Sequence, residues 1–326
     1  MRRTLKWLLA LFALPALLVL AVAAAAWWLV GTQSGLAWAL GEAAERSEGR
    51  LEVGRVQGTL LGGFSIEELR VKTDAAIVQA RELSARLDLI ALSTATLAVK
   101  GLEEEGLQAS HVAVELLATE PKGGTAAPPA RLGVPLPVEI PKVRIAGVSV
   151  RRGADAYALT ELRFSYSGNA TEHRLHDVTA QTPWGNVALE ATMGAAAPFR
   201  VEARGSLERP EGRANAYVRV QPFAAQKLEA LQLDAENLDL SRFQASLPST
   251  SLTVQLSGEA TREALFAGTL RAANGTPGAL DRNRVPVVAL DAALALQDET
   301  LQIRALDALA AGGRVSGSGR LERTGA

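Results

Sequence analysis

The sequence predicts a mostly β protein carried by one N-terminal transmembrane helix, with one short helix after it. Three observations lead there. The stretch Trp7 to Val30 contains no ionisable residue. Apolar and polar residues then alternate with period two through most of the chain, and clusters of glycine, proline and asparagine separate the alternating runs. Successive side chains of a strand point to opposite faces, so each run makes one apolar and one wet face.

Composition narrows the function classes. The 326 residues include 34 Lys+Arg against 35 Asp+Glu, so a nucleic-acid partner, which needs a basic bias, is not expected. The absence of cysteine excludes disulfide scaffolds, thiolate nucleophiles, thiolate metal sites and a lipidated N-terminal cysteine. Three histidines leave little room for a histidine-rich metal centre.

As a helix, the roughly 24 residues from Trp7 to Val30 would span about 36 Å, enough for a hydrocarbon core of about 30 Å. Trp7, Leu8, Leu17, Leu20, Trp27, Trp28 and Val30 are the expected anchor residues, with tryptophans at both ends as an interfacial belt. Arg2, Arg3 and Lys6 precede the run and place the N-terminus in the cytoplasm. Ala21-Val22-Ala23 and Ala24-Ala25-Ala26 also fit a cleaved signal peptide, although the apolar run continues past them into Trp27-Trp28-Leu29-Val30. Either reading exports residues 31–326, and a bacterial envelope is the simplest home.

Within 31–49, Ser34 can cap a short helix whose apolar face is Leu36, Leu40, Ala43 and Ala44, ended by Gly49. A first β region, 50–119, holds the alternations Leu83/Ala85/Leu87/Leu89 and Val112/Val114/Leu116. A Pro/Gly/Ala-rich linker, 120–133, leads to a second β region, 134–326. There the parity recurs at Leu162/Phe164/Tyr166, Val187/Leu189/Ala191/Met193, Phe199/Val201/Ala203, Ala216/Val218/Val220, Leu252/Val254/Leu256 and Leu290/Ala292/Leu294/Leu296. Turn signals at Gly168-Asn169, Pro183–Asn186, Pro210–Gly212 and Asn274–Gly278 favour an antiparallel meander. Phe223–Leu233 and Ser257–Phe266 read equally as helix or strand. Four of the five tryptophans lie in the first 38 residues, so the body's apolar faces are aliphatic, which suits a long thin sheet better than a ring-filled sandwich.

No motif carries catalysis. His173 and His176 are three apart, which on a strand points them to opposite faces, and no carboxylate sits at ligand spacing. Glu103-Glu104-Glu105 reads as a charged turn, and Gly317-Ser318-Gly319 lacks the third glycine and the helix of a phosphate loop. No catalytic residue, metal ligand or cofactor is assigned, and an enzyme is not expected.

The order of features carries a resemblance. The apolar anchor leads into Val30-Gly31-Thr32-Gln33-Ser34-Gly35-Leu36, then Leu51-Glu52-Val53-Gly54-Arg55-Val56-Gln57-Gly58-Thr59-Leu60, then Gly63-Phe64-Ser65-Ile66-Glu67-Glu68-Leu69-Arg70-Val71. The proline-punctuated Val134-Pro135-Leu136-Pro137-Val138-Glu139-Ile140 follows, then Val143–Val150 and Thr182-Pro183-Trp184-Gly185-Asn186. This resembles the N-terminal region of the TamB family, inner-membrane subunits of the translocation and assembly module of Gram-negative bacteria, and more distantly the AsmA family. The resemblance implies an elongated antiparallel sheet curled into an apolar groove in the periplasm, carrying phospholipid between inner and outer membranes and supporting outer-membrane protein assembly. The groove would be lined by Leu83, Ala85, Leu87, Leu89, Val112, Val114, Leu116, Val187, Leu189, Leu252, Val254 and Leu256. The family's outer-membrane partner, the TamA barrel, engages a C-terminal domain, and this chain stops at Gly317–Glu322 inside an expected strand, so that domain is expected to be missing here. From the residues alone a closed sandwich or barrel stands ahead of a groove, and the resemblance reverses that order. Three functions therefore stay open: lipid transfer, a scaffold for outer-membrane proteins acting by strand addition, and a secreted closed β protein.

Overall fold

The computed structural model describes residues 27–88, 96–100, 106–117, 131–224, 226–244, 246–262, 264–297 and 300–322. The expected anchor residues Trp7, Leu8, Leu17 and Leu20 lie outside them, as do Leu89 and Glu103 to Glu105. Among the described residues no helix is long and apolar enough to cross a membrane. Those residues form eighteen strands and little helix. They fall into two compact units, residues up to 122 with 139–158, and 123–138 with 159–326.

The first unit opens on residues 27–31, which are helical, and then α1 (Gln33–Arg46). The cap is Thr32, not Ser34. Thr32 has extended backbone, its Oγ1 accepts from the Gly35 N–H at 3.0 Å, and it donates to the Trp28 carbonyl at 2.7 Å. One hydroxyl thereby joins the two helical pieces, while Ser34 lies inside α1. Gly35 permits the close approach, because a Cβ there would meet the Trp28 carbonyl. Leu36 is buried, Leu40 and Ala44 are half-buried and Ala43 is exposed. The helix stops before Gly49 because the Ser47 hydroxyl donates to the Ala44 carbonyl at 2.6 Å and accepts from the Leu51 N–H at 2.8 Å.

The helix packs on β1 (Leu51–Val53) and β2 (Val56–Thr59), both of which pair with β3 (Gly63–Lys72). β3 pairs with β4 (Ala76–Asp88), and β4 with β5 (Leu97–Lys100) and β6 (Leu107–Leu116). One pairing departs from the expected antiparallel order: β7 (Val138–Arg152) runs parallel to β6. Parallel neighbours require a crossover, and the long proline-containing segment between them supplies the length. Burial steps by three at one level of this sheet, from Ile66 to Leu69, Ala109 to Val112 and Ile145 to Val148, where Glu82 of β4 holds φ 51. Simple alternation does not run through that level.

The second unit is an antiparallel meander. It begins in β8 (Asp155–Gly168) and continues through β9 (Glu172–Thr182), β10 (Gly185–Gly194), β11 (Val201–Glu208), β12 (Arg213–Val220) and β13 (Leu228–Leu238). It goes on through β14 (Leu252–Glu259), β15 (Phe266–Asn274), β16 (Val287–Gln297), β17 (Thr300–Ala310) and β18 (Gly313–Glu322). Each strand pairs with its neighbours in this order, and the described residues of this unit build no second layer of their own. Both helix-or-strand stretches resolve as strand ends joined by loops, one before Leu228 and one between Glu259 and Phe266. Phe199 does not open a strand. It lies in the loop before β11 at φ 56, almost fully buried, with Phe223 edge-on at 5.4 Å.

Register in β9 is corrected by a bulge. Leu189 faces Val178 but Ala191 faces Leu175, so β9 has one extra residue there, and Asp177 adopts φ 51. The bulge turns both Leu175 and Val178, three apart in sequence, to the side that Leu189 and Ala191 occupy. A left-handed conformation costs a residue with a Cβ about 1–2 kcal/mol, most for a branched one. Asp177→Val should therefore lower the unfolding free energy by about 1–2 kcal/mol, while Asp177→Gly should leave it within about 0.5 kcal/mol. Urea titration of the purified chain in detergent checks this, and equal shifts for the two variants would refute it.

Candidate functional site

The register of the second unit sorts its residues into rows that run across the strands. One row is Ala180, Val187, Leu207, Ala214, Ala235, Val254, Ala272, Leu290, Ala308 and Val315, each directly opposite the next. The adjacent row on the same face is Val178, Leu189, Gly205, Ala216, Leu233, Leu256, Leu270, Ala292, Leu306 and Gly317. At about 4.8 Å per strand these rows extend roughly 40 Å. Most of their members are half-buried.

The reverse face is mostly polar, with alanines such as Ala188 and Ala293 among its members. Ser206, Asn215, Asp234, Gln255, Arg271, Asp291 and Asp307 form the matching row. Cross-strand ion pairs tie it together: Arg219 to Glu202 at 2.8 Å, Arg213 to Glu236 at 2.8 Å and Arg271 to Asp291 at 3.2 Å. The hydrogen bond and charge of Arg213 hold the Glu236 carboxyl below the usual carboxylate range. All are largely open to solvent, so each adds little on its own. A depression of about 650 Å³ on this side, lined by Glu190, Arg204, Tyr217 and Asp234 among others, opens broadly to solvent.

Among the sequence-predicted lining residues, Val187 and Leu189 of β10 and Leu252, Val254 and Leu256 of β14 are half-buried and alternate with exposed neighbours. In the first unit Val114 lies in the row Val71, Val78, Val114, Val150, and Val112 in the row Leu69, Ala80, Val112, Val148. Leu83 and Ala85 pair with Ile66 and Phe64 across the Glu82 level from those rows, and Leu87 stands opposite Val99. Leu116, at the end of β6, is 39% exposed. Of the anchor residues, Trp27 and Trp28 are exposed and Val30 half-buried, and the Trp28 ring lies 6.0 Å from that of Trp38.

His173 is satisfied locally. Its Nε2 donates to the Leu132 carbonyl at 3.1 Å, and Nδ1 accepts from the Tyr166 hydroxyl at 2.8 Å. Gly317 to Gly319 lie in β18, exposed. No group of three His, Asp or Glu is placed to hold a metal among the described residues.

Sequence reading missed how one margin of the aliphatic face is furnished. The loop after β13 is held by Asp239, whose Oδ1 accepts from the Ser241 N–H at 3.1 Å, the Ser241 hydroxyl at 2.9 Å and the Thr250 N–H at 3.0 Å. This loop brings Phe243 against Trp184, ring centroids 6.4 Å apart. Asp239-Leu240-Ser241 was the available signal, since a carboxylate two residues before a serine favours such a turn.

The fold defines a mostly β protein, and in its second unit the strand register lines up continuous aliphatic rows on one face. A family model described as TamB, N-terminal domain, matches residues 21–261, and the chain belongs to that family. Comparison with curated proteins and with solved structures finds no match. Membership connects the chain with the translocation and assembly module, in a family anchored in the inner membrane.

Burial pushes the Asp239 carboxyl up, but the hydrogen bonds from Thr250 and Ser241 and the charge of Arg242 outweigh it and hold it below the usual carboxylate range. Its contribution is therefore complete above the unfolded value of about 3.9 and is lost as the pH falls through the lower folded value. In a chain whose other tryptophans are replaced by Phe, Trp184 emission should change on acidification below about pH 4. Asp239→Asn should abolish that transition.

Proposed function

We propose that the chain is a non-enzymatic carrier that takes phospholipid acyl chains along its aliphatic face between the inner and outer membranes. The observation that supports this reading is the unbroken cross-strand row of small and aliphatic residues from Ala180 to Val315. Acyl chains require burial and no directional recognition, and each methylene removed from water is worth about 0.8 kcal/mol. An aliphatic surface without a polar code fits that requirement, and a row of roughly 40 Å is longer than one leaflet's hydrocarbon thickness of about 15 Å. Family membership supports anchoring in the inner membrane through Trp7 to Val30, a periplasmic body and cooperation with a TamA-like outer-membrane barrel.

Parity supplies the test. A photocrosslinking residue at Leu256 should yield phospholipid adducts in membranes, and the same probe at Gln255, one position away on the polar face, should yield several-fold fewer. Lipid adducts at neither position, in a folded protein, would refute lipid carriage. Adducts with protein strands in their place would support the scaffold reading.

A further inference from the structure

The arginine–carboxylate pairs Arg213–Glu236, Arg219–Glu202, Arg271–Asp291 and Arg314–Asp307 lie on the polar face of the second unit. Arg209 is different. It follows β11 with the parity of Gly205 and Leu207, which belong to the aliphatic rows. A Cβ built on Gly185, on that same side of β10, would meet the Arg209 Cγ at 2.9 Å and the Leu207 Cδ1 at 3.2 Å. The Arg209 stem therefore lies on the aliphatic side, beside Leu207. Its guanidinium sits 4.9 Å from the centre of the Phe243 ring, and its Nε donates to the Trp184 carbonyl.

Among the described residues Arg209 has no carboxylate partner. Glu208, its neighbour, alternates to the other face. A half-buried cation at the edge of an aliphatic surface, tied at Nε and stacked on one ring, is left with its Nη donors and no counter-charge. Such a cation is stabilised by an anion, and the guanidinium fork matches the oxygens of a phosphate. We propose that Arg209 is a headgroup contact, holding the phosphate of a phospholipid whose acyl chains lie on the adjacent rows at Leu207 and Val187. This rests on the carrier reading above. It adds that binding at this margin discriminates phosphate-bearing lipids from neutral ones with the same chains.

The test uses the full chain with a photocrosslinking residue at Leu207, incubated with vesicles containing either phosphatidylglycerol or diacylglycerol of identical acyl chains. The wild-type side chain at 209 should favour phosphatidylglycerol roughly tenfold. Arg209→Gln should remove the preference while leaving diacylglycerol adducts unchanged, and Arg209→Lys should keep most of it. Equal loss of both adducts in Arg209→Gln would mean that Arg209 only clamps the loop, and an unchanged preference would exclude it as the contact. Either result overturns the proposal while leaving lipid carriage standing. Loss of the preference in 50 mM inorganic phosphate, without loss of adducts, would assign the site to a free anion and also overturn it. No adduct with either lipid in any variant would refute the carrier reading itself.

Discussion

Cross-strand register is the constraint on which this protein depends. The described residues of the second unit supply its sheet with no opposing layer of their own, so its apolar face exists only while every strand keeps its aliphatic residues level with those of its neighbours. A slip of one residue in any strand would exchange its faces and place charge within the row. Ten successive strands of the second unit hold the row from Ala180 to Val315 without such a slip. The residues of the row are small or aliphatic throughout.

Two devices keep the register. On the polar face, cross-strand pairs such as Arg213 with Glu236 and Arg271 with Asp291 reward one alignment over its neighbours, each by little. Bulges absorb the mismatches. Asp177 in β9 and Asn237 in β13 take left-handed backbone where the pairing shifts, and the Asn237 side chain is held by the Ser251 hydroxyl at 2.6 Å and donates to the Glu211 carbonyl. Short polar side chains suit these positions, since they compensate the strained backbone with local hydrogen bonds.

The strand ends are finished by loops rather than by added layers. Phe199 is buried beneath Phe223 at one end, and the Asp239 turn sets Phe243 on Trp184 at the other. The margins of the second unit's sheet thereby acquire rings and, at Arg209, a charge. A surface built this way offers burial along the rows and polar contact at the edge, which is the division of chemistry within an amphipathic lipid.

Much of this was legible in the sequence, and the limit of legibility is physical. Alternation at Val187–Met193 and Leu252–Leu256 sufficed for strands, because period two needs no knowledge of neighbours. The ambiguity at Phe223–Leu233 and Ser257–Phe266 arose where a strand end runs into a loop and the period breaks. Thr32 displaced Ser34 as the cap because the hydroxyl must also reach the Trp28 carbonyl, a contact with the preceding helical piece. The bulge at Asp177, the parallel pairing of β6 with β7, the placing of Phe199 under Phe223 and the approach of Arg209 to Phe243 depend on which strand lies beside which. The sequence by itself determined the element type, the two-faced character of the strands and the aliphatic nature of one face, since these follow from local period and composition. Tertiary structure alone decided which aliphatic residues share a row and which charge stands at its margin, because both depend on pairings between residues distant in the chain.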